Sequence, residues 1–233
     1  MEMKFDFSGI DKKSAVNNNV SLKPYGIYNV EFDSMNPNVL KSKDGQKEFH
    51  TIELKFHGEE GSFSTNLFIP STDEDIKRNV QTSSKGHEYE TPSRFEEFKW
   101  TLLQIAQVVN PEGYEKLKVQ APKIKTIEDF IKLVTSISNA KKGTKTKLKL
   151  VGRNSDGKIY ANLPRVCRIN NEGECYVSNN FIGEHVAFTP YEASQAEQFK
   201  NAKPTNMPAN IGTVDTPKGS EEEIGIDFDS LLS

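Results

Sequence analysis

Lysine recurs at every second position of KTKLKLVGR, which puts Lys145, Lys147 and Lys149 in one phase and Leu148 and Leu150 in the other. A β-strand points alternate residues to opposite faces, so this period predicts a strand with an apolar buried side and a cationic outer side. Arg153 continues the cationic phase. The NSDG that follows is a turn signal. A hairpin there returns Lys158, Tyr160 and Asn162 to the cationic side and Ala161 and Leu163 to the buried side. Cations around an aromatic ring suit single-stranded nucleic acid, because charges track phosphates and the ring offers a face to a base, at roughly 1–3 kcal/mol per stacked base. A second basic group, Lys41, Lys43 and Lys47, precedes Phe49. Phe49 and Lys55 are out of phase with Ile52, Leu54 and Phe56 and should face outward, with Phe49 either a stacking ring or a cap on the core. The alternative for the lysine row is a solvated outer strand, where lysine also discourages edge-to-edge pairing.

Other chemistry is absent from the sequence. KKGTKTK lacks the glycine spacing of a phosphate-cradling loop, and no GxGxxG, HExxH or CxxC occurs. His50, His57, His87 and His185 are scattered without ligand spacing. Asp73 and Asp75 stand two apart in a polar stretch; paired acids can hold magnesium, but solvation is the simpler reading. Cys167 and Cys175, without further Cys or His company, suggest neither a disulfide scaffold nor a zinc site, only two thiols in a reducing cytoplasm. No catalytic residue, metal or cofactor is expected, and nothing argues for an enzyme.

The elements that must position the cations follow from periodicity. PYGIYNVEF (24–32), FHTIELKF (49–56) and FSTNLFI (63–69) read as strands, with NPN and KSKDGQK as punctuation between the first two. Residues 70–92 read as a long polar loop. RFEEFKWTLLQIAQVV (94–109) has an apolar stripe of helical spacing through Phe95, Phe98, Leu102, Ile105 and Val109, and Asn110-Pro111 is its stop. TIEDFIKLVTSIS (126–138) is a second helix, with Thr126 as N-cap. Strands return at 144–153 and 158–166, and more weakly at 175–179 and 185–190. Three strands, two helices and further strands predict an α+β fold, here an OB-like antiparallel β-barrel with a helical insertion at about 93–138.

Charge is distributed unevenly along the 233 residues. Between Ala140 and Arg168 nine Lys/Arg face one acid, Asp156, whereas from Tyr191 onward eight acids face three lysines. A basic block with an acidic end points toward nucleic acid. No run of about 18 apolar residues predicts a membrane span, and MEMKFDFSG lacks the pattern of a secretion signal. Residues 1–21 read as a polar arm, 22–190 as the nucleic-acid-binding domain and 191–220 as a flexible linker too poor in apolar residues to offset ordering entropy. Residues 221–233 form an acidic tip, EEEIGIDFDSLLS. Its acids are Glu221, Glu222, Glu223, Asp227 and Asp229, and its apolar anchors are Ile224, Ile226, Phe228, Leu231 and Leu232. Apolar residues concentrated at the end favour a docking peptide over a purely solubilising one.

Four segments, YGIYNVEF, KSKDGQKEFHTIELKF, FEEFKWTLLQIAQVV and LKLVGRNSDGKIYANLPRV, resemble the phage single-stranded DNA-binding proteins with an OB-type barrel. The resemblance covers roughly residues 22–170 and rests on loose patterns. The tail resembles the acidic tips with which bacterial and phage members of that class recruit replication and repair proteins, although it does not end on Pro-Phe. What the resemblance implies is a non-enzymatic, sequence-independent single-stranded DNA-binding protein of replication, recombination or repair, in the host cytoplasm if phage-encoded. Its partners would be single-stranded DNA and, through the tip, replication or recombination proteins. When free, the tip is expected to compete with DNA for the basic face. Alternatives are a structural or scaffold-type interaction protein without a nucleic-acid role, an RNA- or duplex-binding factor, and a nuclease. Monomer and homodimer both stay open.

Overall fold

The computed structural model describes residues 20–83 and 86–201. Most of the predicted arm, the linker beyond residue 201 and the whole tip (Glu221, Glu222, Glu223, Ile224, Ile226, Asp227, Phe228, Asp229, Leu231 and Leu232) lie outside the described residues.

The fold is α+β. Strands β1 (Gly26–Lys41), β2 (Glu48–Gly58) and β3 (Gly61–Phe68) come first. They are followed by a one-turn helix α1 (Asp73–Ile76), a small hairpin β4 (Asn79–Thr82) and β5 (Glu88–Thr91), and three helices, α2 (Arg94–Val109), α3 (Pro111–Gln120) and α4 (Ile127–Asn139). Strands β6 (Lys145–Ser155), β7 (Lys158–Asn162), β8 (Cys167–Ile169) and β9 (Cys175–Val177) lead to a final helix α5 (Pro190–Asn201). The principal sheet is antiparallel in the order β3-β2-β1-β6-β7. Among the described residues no ladder joins β3 to β7, so the sheet is open at both edges rather than a closed barrel.

β1 is the hub. Its first half, Gly26 to Glu31, pairs with β6, and its second half, Glu31 to Lys41, pairs with β2 across an irregularity between Phe32 and Ser34. The extra residue bends the strand while keeping apolar residues on one face. The NPN expected to end this strand does not, and Pro37 stands opposite Ile52 within a 16-residue strand. Beyond Phe32 the strand has lost β6 and has a neighbour on one side only, where proline is tolerated. On the vacated side the Asn139 side chain takes the place of a strand: Met35 N–H donates to Oδ1 at 2.9 Å and Nδ2 donates to Met35 C=O at 2.8 Å.

The sheet's inner face carries Phe32, Met35, Ile52, Leu54, Phe56, Leu148 and Leu150, all fully buried. Against them pack Phe95, Leu102, Ile105 and Ala106 of α2 and Phe130 and Val134 of α4. α2 begins where the sequence predicts, in a capping box: Glu96 N–H donates to Ser93 Oγ at 3.1 Å and Ser93 N–H to Glu96 Oε2 at 2.8 Å. Asn110 ends α2 as predicted, but Pro111 is also the first residue of α3, which the sequence reading missed. Proline at the first helical position costs no hydrogen bond, and Asn110 Oδ1 caps the new helix through Gly113 N–H at 3.0 Å. The stretch 70–92 holds α1 and the β4–β5 hairpin rather than a plain loop, and residues 185–190 are not a strand. Residues 191–201, expected to be linker, belong to α5. Among the described residues no helix is long and apolar enough to cross a membrane.

Candidate nucleic-acid interface

Helices cover the inner face, so the outer face is the one available to a ligand. The ladders place on it Ile27, Asn29, Glu31, Ser34, Asn36, Asn38 and Leu40 of β1, and Phe49, Thr51, Glu53, Lys55 and His57 of β2. Ser64, Asn66 and Phe68 of β3 and Lys145, Lys147, Lys149 and Arg153 of β6 share it, as do Lys158 and Tyr160 of β7. The phase predicted for Lys55, Lys145, Lys147, Lys149, Arg153 and Lys158, and for Phe49 and Tyr160, is therefore the phase observed, whereas Lys41, opposite Glu48, lies in the other phase.

Accessibility is not uniform along that face. Lys149 is 0% exposed, so it is not part of an open cationic surface. Residues 178–192 fold back over it. Lys149 N–H donates to Phe181 C=O at 2.7 Å, Ile182 bridges Leu148, and Gly183 N–H donates to Lys147 C=O at 3.0 Å. Above the strand, Lys149 Nζ donates to Ala187 C=O and Glu192 Oε2, both at 2.8 Å, and also to Asn179 Oδ1. A buried ammonium needs a paired charge and filled hydrogen bonds, and α5 supplies the charge. Glu192 also accepts from Asn179 Nδ2 and Thr189 N–H, each at 2.8 Å. Burial pushes its carboxyl up, and Lys149, Thr189 and Asn179 outweigh that and hold it below its usual range. Lys147 is half-buried with its Nζ 3.3 Å from Glu184 C=O, while Lys145 stays exposed, 3.7 Å from Glu31. The predicted row of three equivalent lysines is thus one buried, one half-covered and one open.

The half of the outer face formed by β2, β3 and the end of β1 carries no such cover. Phe49 and Phe68 meet there edge to face, ring centroids 5.9 Å apart, both partly exposed. Register explains the pairing: Phe49 opposes Leu40, and Phe68 opposes Thr51, two residues further along β2. Beside the rings lies a row of uncharged polar groups. Asn38 Nδ2 donates to Asn66 Oδ1 at 3.2 Å, and Thr51 Oγ1 lies 3.1 Å from the same oxygen and 3.2 Å from Asn38 C=O. Lys43 and Lys47 are exposed on the connection between β1 and β2, which leads into Phe49, and Lys41, the last residue of β1, is exposed in the phase opposite to Phe49. That connection is tied by Gly45 N–H to Ser42 C=O at 2.9 Å and Lys47 N–H to Ser42 Oγ at 3.0 Å, with Gly45 at φ 71°. Ser42 Oγ also donates to Asp44, and this bond with the Gln46 N–H holds the Asp44 carboxyl below its usual range.

Arg153, Lys158 and Tyr160 belong to the β6–β7 hairpin, whose turn has Asp156 at φ 52° and Gly157 at φ 75°, the double positive φ of an Asp-Gly hairpin turn. Arg153 stands opposite Tyr160 and Ser155 opposite Lys158. Because Gly26 opposes Leu150 while Lys41 opposes Glu48, this hairpin and the β1–β2 connection extend from opposite ends of β1. The face mixes signs: Lys55 pairs with Glu53 at 2.8 Å, and His57 lies by Asp33 and, at 3.6 Å, Glu31, while in the opposite phase Lys41 pairs with Glu48 at 3.3 Å. Exposed pairs of this kind are weak and leave the lysines able to exchange a carboxylate for a phosphate. Phe68 and the Asn38–Asn66–Thr51 row were missed by the sequence reading. Phe68 is out of phase with Phe63, which was the available signal, but FSTNLFI is apolar in both phases and hid it.

Among the described residues no cluster of three His, Cys, Asp or Glu is placed to hold a metal ion. No family model, curated protein or solved structure matches the chain.

Proposed function

We propose that the chain is a sequence-independent single-stranded DNA-binding protein whose strand track crosses the uncovered half of the outer sheet face. The observation that carries this reading is the Phe49–Phe68 pair on that face, adjoining the connection that holds the exposed Lys43 and Lys47. Rings stack bases of any identity and cations follow the backbone, which gives affinity without sequence preference and steep salt dependence. The strand order supports an OB-type barrel left open between β3 and β7, with a long bent β1 serving both β2 and β6. In that fold the oligonucleotide face spans the second and third strands and the loops after the first and fourth. Here those are β2, β3, residues 42–47 and the Asp156-Gly157 turn, the positions of Phe49, Phe68, Lys43, Lys47, Arg153 and Lys158. Lys145 and Tyr160 extend the track, and Lys149 serves as a structural anchor instead. The tip at 221–233 recruits replication or recombination proteins in this reading, which rests there on sequence alone.

The acid-paired lysines favour a second reading, a scaffold-type interaction protein whose outer face meets protein. A fluorescence titration of a labelled single-stranded 30-mer, with duplex competitor at low and moderate salt, separates the two. Tight, salt-sensitive binding that duplex does not displace supports the first; no binding at low salt removes it.

A further inference from the structure

The two cysteines occupy one built site. In the β8–β9 hairpin Cys167 opposes Val177 and Cys175 opposes Ile169, so all four side chains lie on one face, turned toward α2, while Arg168 and Tyr176 point to solvent. The thiols are diagonal neighbours on this ladder, Cys167 buried and Cys175 half-buried. Trp100 and Lys99 of α2 stand next to Cys175. Trp100 Nε1–H is buried without a partner of normal geometry and lies beside the Cys175 sulfur. A neutral thiol is a weak acceptor, whereas a thiolate would satisfy that indole. Lys99 Nζ sits 5.2 Å from the Trp100 ring centre. Behind the pair, Glu97 accepts Val166 N–H, next to Cys167, at 3.0 Å through Oε2, and its Oε1 is buried without a partner.

We propose that Cys175 and Cys167 form a peroxide-responsive thiol pair, in which Cys175 is the attacking sulfur and Cys167 resolves the product. A hydroperoxide is the fitting oxidant, because the half-buried Cys175 admits a small molecule and not a protein disulfide. The Cys175 thiolate attacks one peroxide oxygen and the O–O bond breaks; the leaving oxygen takes a proton from solvent, giving Cys175 sulfenic acid and water. The Cys167 sulfur then displaces hydroxide from the sulfenic acid. Its thiol proton passes to Glu97 and on to that hydroxide, giving a disulfide and a second water. Two thiols are oxidised and one peroxide is reduced. The neighbours support this division of labour. Cys167, with Trp100 and Lys99, outweighs burial and the Glu96 carboxylate and holds Cys175 below the usual thiol range, while Cys175 and burial push Cys167 up and burial raises Glu97. Diagonal positions on a ladder are farther apart than an unstrained disulfide spans, so the three-residue β9 must shift to close the bridge. A strained bridge is readily reduced, which suits a reversible switch.

The test uses the full chain. Hydrogen peroxide at low excess should produce a monomer lighter by two hydrogens, with a Cys167–Cys175 linked peptide on digestion. Cys175→Ser should abolish the reaction, and Cys167→Ser should stop at a sulfenic acid that dimedone captures. Iodoacetamide should alkylate Cys175 in Cys167→Ser at least about threefold faster than glutathione at neutral pH. Trp100→Phe should move the pH profile of that alkylation upward, which a merely structural indole would not do. If Cys175 reacts no faster than glutathione, if Cys167→Ser yields no dimedone adduct, or if oxidation gives only linked dimers, the proposal fails.

Discussion

Glu192→Gln separates the two descriptions of the lysine row. The substitution keeps the shape of the side chain and one oxygen, which can serve Asn179 Nδ2 or Thr189 N–H but not both because they bond different oxygens of Glu192, and it removes the one carboxylate that pairs with Lys149 among the described residues. Lys149, at 0% exposure, would keep the Ala187 carbonyl and Asn179 oxygen and lose its counter-charge. Stripping one partner from a buried ion pair costs about 3–5 kcal/mol, and the retained hydrogen bonds place the expectation at the lower end. For a chain of this size that is a fall in Tm of roughly 6–12 °C. Lys149→Met should cost less, because Glu192 keeps Asn179 and Thr189, and the double variant Lys149→Met/Glu192→Gln should be more stable than the sum of the single losses implies. Urea titrations of the four proteins give the stabilities, and the 30-mer titration on the folded variants gives DNA affinity, expected to change less than about twofold. A Glu192→Gln protein within about 0.5 kcal/mol of the parent would refute the buried pair, as would a Lys149→Met protein of unchanged stability but sharply weaker DNA binding.

Phe49→Ala and Phe68→Ala should each weaken single-stranded DNA binding by about 1–3 kcal/mol, five- to 150-fold, with unchanged circular dichroism; unaltered titrations would remove the stacking site. Lys43→Ala and Lys47→Ala should each lower the slope of log affinity against log salt by about 0.7, read from titrations at several salt concentrations. Acid should destabilise the fold. Burial pushes Asp75 and Glu96 up, but Ser71, Thr72 and Arg94 on the former and Arg78 and Ser93 on the latter hold both below the usual range, as Glu192 is held. Groups with depressed folded values contribute stability that is present above their unfolded range and lost as pH falls through the folded one. Glu97, raised by burial, has the opposite sign, but Asp44, also held low, makes four groups against one, so urea midpoints should fall as pH drops through and below the ordinary carboxylate range of about 3.9–4.3, a trend that Glu192→Gln should flatten. Gly157→Ala places a side chain at φ 75° and should cost about 1 kcal/mol, seen as a lower urea midpoint.

What the sequence made legible follows from which signals are local. Strand phase is set by a two-residue period, so the outward side of β2, β6 and β7 could be read directly, as could the Asp-Gly turn and the Thr126 cap. Cover is not local. Lys147 and Lys149 have the same phase and chemistry, and only residues 30 to 43 positions later decide that one is shut beneath Asn179 and Glu192. The α5 segment has few large apolar residues, so composition made it resemble linker, yet one buried acid, Ala196 and the contact of Phe199 with Tyr25 at 5.4 Å seat it on the sheet. Asn110-Pro111 was read as a stop because a helix boundary and a helix junction have the same residues at their centre. The Phe68 side chain needed the partner strand, since its own segment is apolar in both phases.

Asn139 makes α4 a measured part. Its amide closes the β1 edge at Met35 only because thirteen residues from Ile127 bring it there at the right angle. A helix turns about 100° and advances about 1.5 Å per residue, so inserting or deleting one residue inside α4 would swing that amide away from the strand and leave two backbone groups unanswered. The connection at 121–126 carries no such gauge. Length variation among descendants of this chain should therefore collect there and be excluded from the run between Ile127 and Lys145, where the count of residues matters as much as their kind.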